Sequence, residues 1–177
     1  YQQACMSFVM GTFPKEDKPW KTEINALKRE AFKQWCVEGG IPFEERHLDC
    51  PHGRVRYYLL RPLLHDGQKA PVTLFINGLE GSAEEFAFPL LPFIKQGMGF
   101  ATLSIPGSAD YSEAMNVNSD ALLRAVIDDL EKEHWIDSSQ IGMVGFSFGA
   151  YWTLICAKTD PRIRFAVCNG IPLHHTL

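Results

Sequence analysis

Residues 142–152 read GMVGFSFGAYW, and Ser147 stands between Gly145 and Gly149 in a G-x-S-x-G pattern. A serine hydroxyl is a weak nucleophile until a base takes its proton and fixed donors hold the oxyanion it creates. The five-residue pattern alone says little. Its context says more: the apolar run IGMVGF precedes the serine, and the small, apolar stretch FGAYWTLICAK follows it. That order predicts a buried strand turning sharply into a helix, with the Ser147 hydroxyl presented above the carboxyl edge of a sheet. The two glycines keep side chains out of the crowded turn. The bland alternative is a glycine-rich turn with an idle serine.

An oxyanion needs two donors. The backbone N–H of Phe148 is one candidate, because free donors collect at the start of a helix. The second is expected from NGLEGS, the loop after PVTLFIN, where Gly78 and Gly81 let the backbone approach a substrate. Leu79 and Glu80 are equally placed to supply it. SIPGSAD also follows a strand, so Asp110 can line the pocket. As a triad acid it stands on the wrong side of the serine, since the order in such enzymes is serine, acid, histidine. His174 and His175, in NGIPLHHTL, come after the next strand and reach the pocket rim, too early to be the base. With Gly78, Phe146 and Tyr151 they complete the candidate substrate pocket. Phe86, Phe88 and Phe148 could add to it, with core packing as the alternative. Asp160, in TDPR, reads as a turn residue, and His47, His52, His65 and His134 as surface residues.

The elements that must position these residues are legible in the pattern. PVTLFIN, GFATLSI, IGMVGF and IRFAVCN are continuous apolar runs, as expected of parallel strands covered on both faces. PFEERHLDC and GRVRYYLLRP read as two strands joined by a turn around PHG, and the alternation of Arg54 and Arg56 with Val55 and Tyr57 marks a sheet edge with one wet face. DALLRAVIDDLEKEHW places Leu122, Leu123, Val126, Ile127 and Leu130 on one helical face behind an NSD start. KTEINALKREAFKQWCVEGG predicts an earlier helix burying Ile24, Leu27, Ala31, Phe32 and Trp35, with Pro19 before it and Gly39-Gly40 to end it. FPKEDKPW reads as a polar linker. Strands alternating with helices make the fold class α/β, with an accessory helical segment over 1–40 and a core over 41–177.

Composition excludes several classes. A net charge of −4 over 177 residues gives no basic footprint for nucleic acid and no polybasic membrane patch. No apolar stretch is long enough to span a bilayer. The five cysteines are scattered, without the spacing of a zinc site, and read as reduced thiols in a cytoplasmic protein. No metal or cofactor is expected. YQQACMSFVM lacks signal-peptide features and an initiator methionine, and reads as a chain entered partway.

The segments LKREAFKQW, NGLEGS, IPGSAD, GFSFGAYW and NGIPLHH, in that order over roughly residues 20–177, resemble an α/β-hydrolase of the fermentation–respiration-switch-like esterase family. Within it the look is nearest to fungal heptaketide hydrolases, with dihydroxypseudooxynicotine hydrolase more distant. The resemblance implies a mostly parallel sheet with flanking helices. It implies Ser147 as nucleophile, with Phe148 and the Leu79–Glu80 region as the oxyanion hole. It also implies that the lid, the C-terminal strands and the catalytic aspartate and histidine they carry are missing from this chain. The remaining C-terminal half of a hydrolase is then the expected partner, and a homodimer is possible by family. Substrates implied are polyketide chains cleaved at a carbon–carbon bond, and simple esters. The expected function is a serine hydrolase acting on the carbonyl of a hydrophobic, aromatic or polyketide-like small molecule through an acyl-enzyme. A broad carboxylesterase or thioesterase, or a non-catalytic binding module on the same scaffold, are the alternatives.

Overall fold

The computed structural model describes residues 1–13, 19–108 and 114–172. Asp110, His174 and His175 lie outside the described residues.

Each apolar run becomes a strand of one six-stranded sheet, in the order β1-β2-β4-β3-β5-β6. The strands are β1 (Phe43–Cys50), β2 (Gly53–Leu60), β3 (Ala70–Ile76), β4 (Gly99–Leu103), β5 (Ile136–Phe146) and β6 (Ile163–Asn169). β1 and β2 form the expected hairpin, with Cys50 opposite Gly53, and β2 joins β4 antiparallel. β4, β3, β5 and β6 are parallel to one another. The sheet is therefore mixed but mostly parallel.

Period-two alternation sends side chains to two cores. Val72, Leu74 and Ile76 of β3 join Ala101 and Leu103 of β4 beneath α4 (Asp120–Leu130) and α5 (Phe148–Thr159). All five apolar residues predicted on one face of α4 are buried there. The opposite face receives Tyr58, Leu60 and Phe100 beneath α1 (Gln2–Thr12), α2 (Pro19–Glu38) and α3 (Ala87–Lys95).

α2 ends as expected, with Gly40 at φ 60. Its inward face differs from the expectation. Ala31 and Phe32 are buried, but Leu27 is exposed, and Lys21, Lys28 and Cys36 complete the buried stripe. The helix is rotated because Lys28 has a buried carboxylate to meet, as described below. β6 also departs from its reading as a strand covered on both faces. It is the last strand of the described sheet, and Phe165 and Val167 remain 43% and 50% exposed. Two helices were not foreseen. α1 precedes the polar segment, and α3 forms across AFPLLPFIK despite Pro92 inside it.

The chain runs from β3 to β4 on one side of β3, then crosses back to β5 on the other. The carboxyl ends of β3 and β5 thus sit at the point where strand order reverses, where open parallel sheets place their ligand crevices.

Candidate active site

β5 ends at Phe146 and α5 begins at Phe148, so Ser147 is the whole turn. It holds φ 50 and ψ −121, and it is the one non-glycine residue with positive φ among the described residues. Such backbone costs roughly 1–3 kcal/mol and persists only where the surroundings over-determine it. Here they do. The Ser147 N–H donates to the Asn169 carbonyl at 2.8 Å, bracing the turn on the end of β6, and the Ser147 carbonyl accepts from the Ala150 N–H at 3.0 Å. A β carbon on Gly149 would stand 2.5 Å from the Ile76 carbonyl oxygen, and one on Gly145 would strike the Gly149 backbone and the Thr153 hydroxyl. α5 can leave the turn this close to β3 only because both positions lack a side chain.

The loop after β3 lies against the serine. A β carbon on Gly78 would be 3.0 Å from Ser147 Cβ and 3.4 Å from its Oγ. The buried Asn77 side chain donates through Nδ2 to the Ser82 carbonyl, and the Gly81 N–H reaches the Gly78 carbonyl at 3.3 Å. The far side of the loop is tied by the Ala83 N–H, which donates to Ser104 Oγ at 3.1 Å. Ser104 begins the SIPGSAD segment, so that motif supports the loop from beneath.

Gly78, Leu79, Glu80, Phe146 and Ser147 line one cleft of about 540 Å³, together with Gly81, Glu85 and Phe86. Phe86 and Phe146 stack at 4.6 Å between ring centroids, and Phe75 flanks both at 5.4 Å. Phe86 and Phe146 form an aromatic wall of the cleft that Ser147 lines. Burial pushes the Glu85 carboxyl above the usual carboxylate range, against the pull of a hydrogen bond at Ser82 and the Lys28 charge. Val9, Met10 and Phe13 close the other side. The last three were not anticipated, because α1 carries no strongly one-sided apolar face that would mark it as a wall. The apolar residues in SFVMGTF are the signal that was there to use.

Not every expected residue meets the serine. The Phe148 ring packs on Tyr151 and Trp152 at 5.5 and 6.4 Å, and Tyr151 on Trp152 at 5.2 Å. Tyr151 is thus spent on the α4–α5 core and is absent from the cleft lining. Phe88 is buried against Trp35 and Phe32. His47, His52, His65 and His134 are exposed, as expected, and none lines the cleft. Asp160 shapes its turn, accepting from the Arg162 N–H at 3.1 Å. Among the described residues no cluster of His, Cys, Asp or Glu could hold a metal ion, and no helix is long and apolar enough to cross a membrane.

Known proteins share this fold. Esterase FrsA of Escherichia coli O157:H7 is 28% identical over 112 residues, which are 60% of this chain and 26% of that protein. The solved structure of AbyA5 superposes with a TM-score of 0.83 at 25% identity, over 96% of this chain and 50% of that one. That of a 2,6-dihydroxy-pseudo-oxynicotine hydrolase gives 0.77 at 23% identity, over 90% of this chain and 45% of that one. These are α/β-hydrolase folds, and the chain spans about half the length of the solved relatives and a quarter of the curated one. The model of the esterase FrsA-like family matches residues 25–177, and the chain belongs to that family.

Proposed function

We propose that Ser147 is the nucleophile of a serine hydrolase, and that the loop 78–80 and the start of α5 form its oxyanion hole. The observation that carries the reading is the backbone of Ser147, a strained non-glycine turn held between two sterically obligatory glycines. A binding module has no use for that strain. Ser147 Oγ would attack a carbonyl carbon. As the general base takes the hydroxyl proton, the developing oxyanion would be held by the Phe148 N–H and by that of Leu79 or Glu80. Its collapse would break the scissile bond and expel the leaving group with that proton, and water would then hydrolyse the acyl-enzyme to the free acid and Ser147. The substrate class is hydrophobic, aromatic or polyketide-like, since Phe86 and Phe146 offer a flat apolar wall. The scissile bond is an ester or a carbon–carbon bond whose departing carbanion the substrate delocalises, as a β-diketone can. The general base and its carboxylate come, on this proposal, from the part of the family's length that the chain does not span.

The test is turnover of an aryl ester and an aryl β-diketone by the full-length protein, beside its Ser147→Ala variant. Cleavage of either substrate that Ser147→Ala abolishes supports the proposal. Binding of both without turnover would favour a binding module on the hydrolase scaffold. Rapid cleavage of small acyl and thioacyl esters with no preference for aryl groups would favour a broad carboxylesterase or thioesterase.

A further inference from the structure

The loop between β3 and α3 carries cleft residues on both sides of Glu84: Gly78 to Gly81 before it, Glu85 and Phe86 after it. Glu84 itself points the other way. Its side chain is 0% exposed and lies 3.5 Å from the ammonium of Lys28, which is also 0% exposed, on α2. Arg56 Nη2 and the Tyr58 hydroxyl of β2 both donate to Glu84 Oε1 at 3.1 Å. The donors are themselves held. Lys28 Nζ donates to Asn25 Oδ1 at 2.9 Å. Arg56 also bonds Glu45 at 3.3 Å, and its guanidinium lies over the Tyr58 ring at 5.0 Å. The Cys5 thiol of α1 donates to the Lys28 carbonyl at 3.6 Å, extending the chain of contacts to the helix that walls the cleft.

Two fully buried opposite charges are costly to desolvate, and an apolar pair of the same size would stabilise the fold as well or better. What the ionic arrangement adds is a single position. A carboxylate fixed from two elements by an ammonium, a guanidinium and a phenol cannot slide, whereas an apolar side chain can.

We infer that Lys28 of α2 is a positioning residue for the loop 77–86, acting through the buried Glu84 carboxylate. The N-terminal helices then set the register of the loop's backbone N–H groups over Ser147. The catalytic consequence rests on the oxyanion-hole reading above; the anchorage does not. Displacing catalytic donors by about 1 Å can cost on the order of 10²-fold in rate.

The experiment compares wild type, Lys28→Met and the double variant Lys28→Met/Glu84→Gln in the full-length protein, by amide hydrogen exchange and by ester kinetics. Lys28→Met is expected to speed exchange at 78–86 by about tenfold or more, with β3 and β5 unchanged, as a locally opening segment does. It should lower kcat by roughly 10²-fold while KM stays within about threefold. The double variant leaves no unpaired buried charge and should recover global stability, but without the ion pair its loop exchange should stay faster and its kcat lower than wild type; full recovery of both overturns the inference. Should Lys28→Met fail to fold, Glu84→Gln, which keeps the shape and the Arg56 and Tyr58 contacts, is expected to show the same loop-confined loosening. Unchanged loop exchange, or exchange rising evenly across the sheet, overturns the inference. Faster loop exchange with unchanged kcat overturns its catalytic half. A wild type that turns over no ester defeats the nucleophile reading instead, and the exchange data then decide the anchorage alone.

Discussion

Replacing Ser147 by glycine should make the protein more stable, and replacing it by alanine should not. At φ 50 and ψ −121 the residue adopts the mirror image of ordinary extended backbone. Glycine occupies the mirror regions as readily as the usual ones, whereas any β carbon there meets the backbone. Ser147→Gly therefore releases strain of about 1–3 kcal/mol. It also adds backbone freedom to the unfolded chain, which takes back about 0.5–1 kcal/mol. The net gain is about 1 kcal/mol at mid-range and at most about 2.5 kcal/mol, or about 2–4 °C and at most about 10 °C in Tm for a chain of this length. Ser147→Ala keeps the β carbon and the strain while losing the hydroxyl, so its Tm should stay near wild type. Thermal unfolding followed by circular dichroism on the three proteins reads both differences. A glycine variant no more stable than the alanine variant would refute the idea that the turn stores strain.

Other consequences follow from particular contacts. Gly149→Ala drives a β carbon to 2.5 Å from the Ile76 carbonyl. It should cost at least about 2–3 kcal/mol in urea unfolding, at the upper end of overpacking effects. Phe86→Ala removes half of the aromatic stack beside Ser147 and should lower kcat/KM for aryl esters by about tenfold or more, with a smaller loss for acetyl esters. Asp160 accepts hydrogen bonds from Arg162 at 2.8 and 2.6 Å, which hold its carboxyl below the usual range against an opposing effect of burial. A depressed carboxylate stabilises the fold above its unfolded pKa of about 3.9, and that contribution drains away as pH falls through the folded value. Asp160→Asn should thus cost about 1.5–3 kcal/mol at pH 7 and flatten the loss of stability below about pH 4, measured by denaturant midpoints across that range.

The parts of the fold that were legible in the sequence are those where one residue type has one physical solution. The continuous apolar runs of β3, β4 and β5 fit strands buried on both faces, and the five apolar residues of α4 share one stripe. The elbow was legible because glycine on both sides of a serine between a strand and a helix has a steric reason. Three features were not. The inward face of α2 was misplaced because hydrophobicity ranks Leu27 above Lys28, and only the tertiary partner Glu84 reverses that order. α3 was hidden by its prolines, yet Pro92 is tolerated within the short helix, whose Ala87, Phe88, Leu90 and Ile94 are buried. α1 has no strongly one-sided apolar face to mark it, yet its Val9 and Met10 line the cleft.

Covalent labelling of the full-length protein with a fluorophosphonate, mapped by peptide mass, reports directly whether Ser147 is a nucleophile. A single adduct is expected on the peptide containing Ser147, absent from Ser147→Ala. No adduct on a folded protein, or one on a different residue, would contradict it.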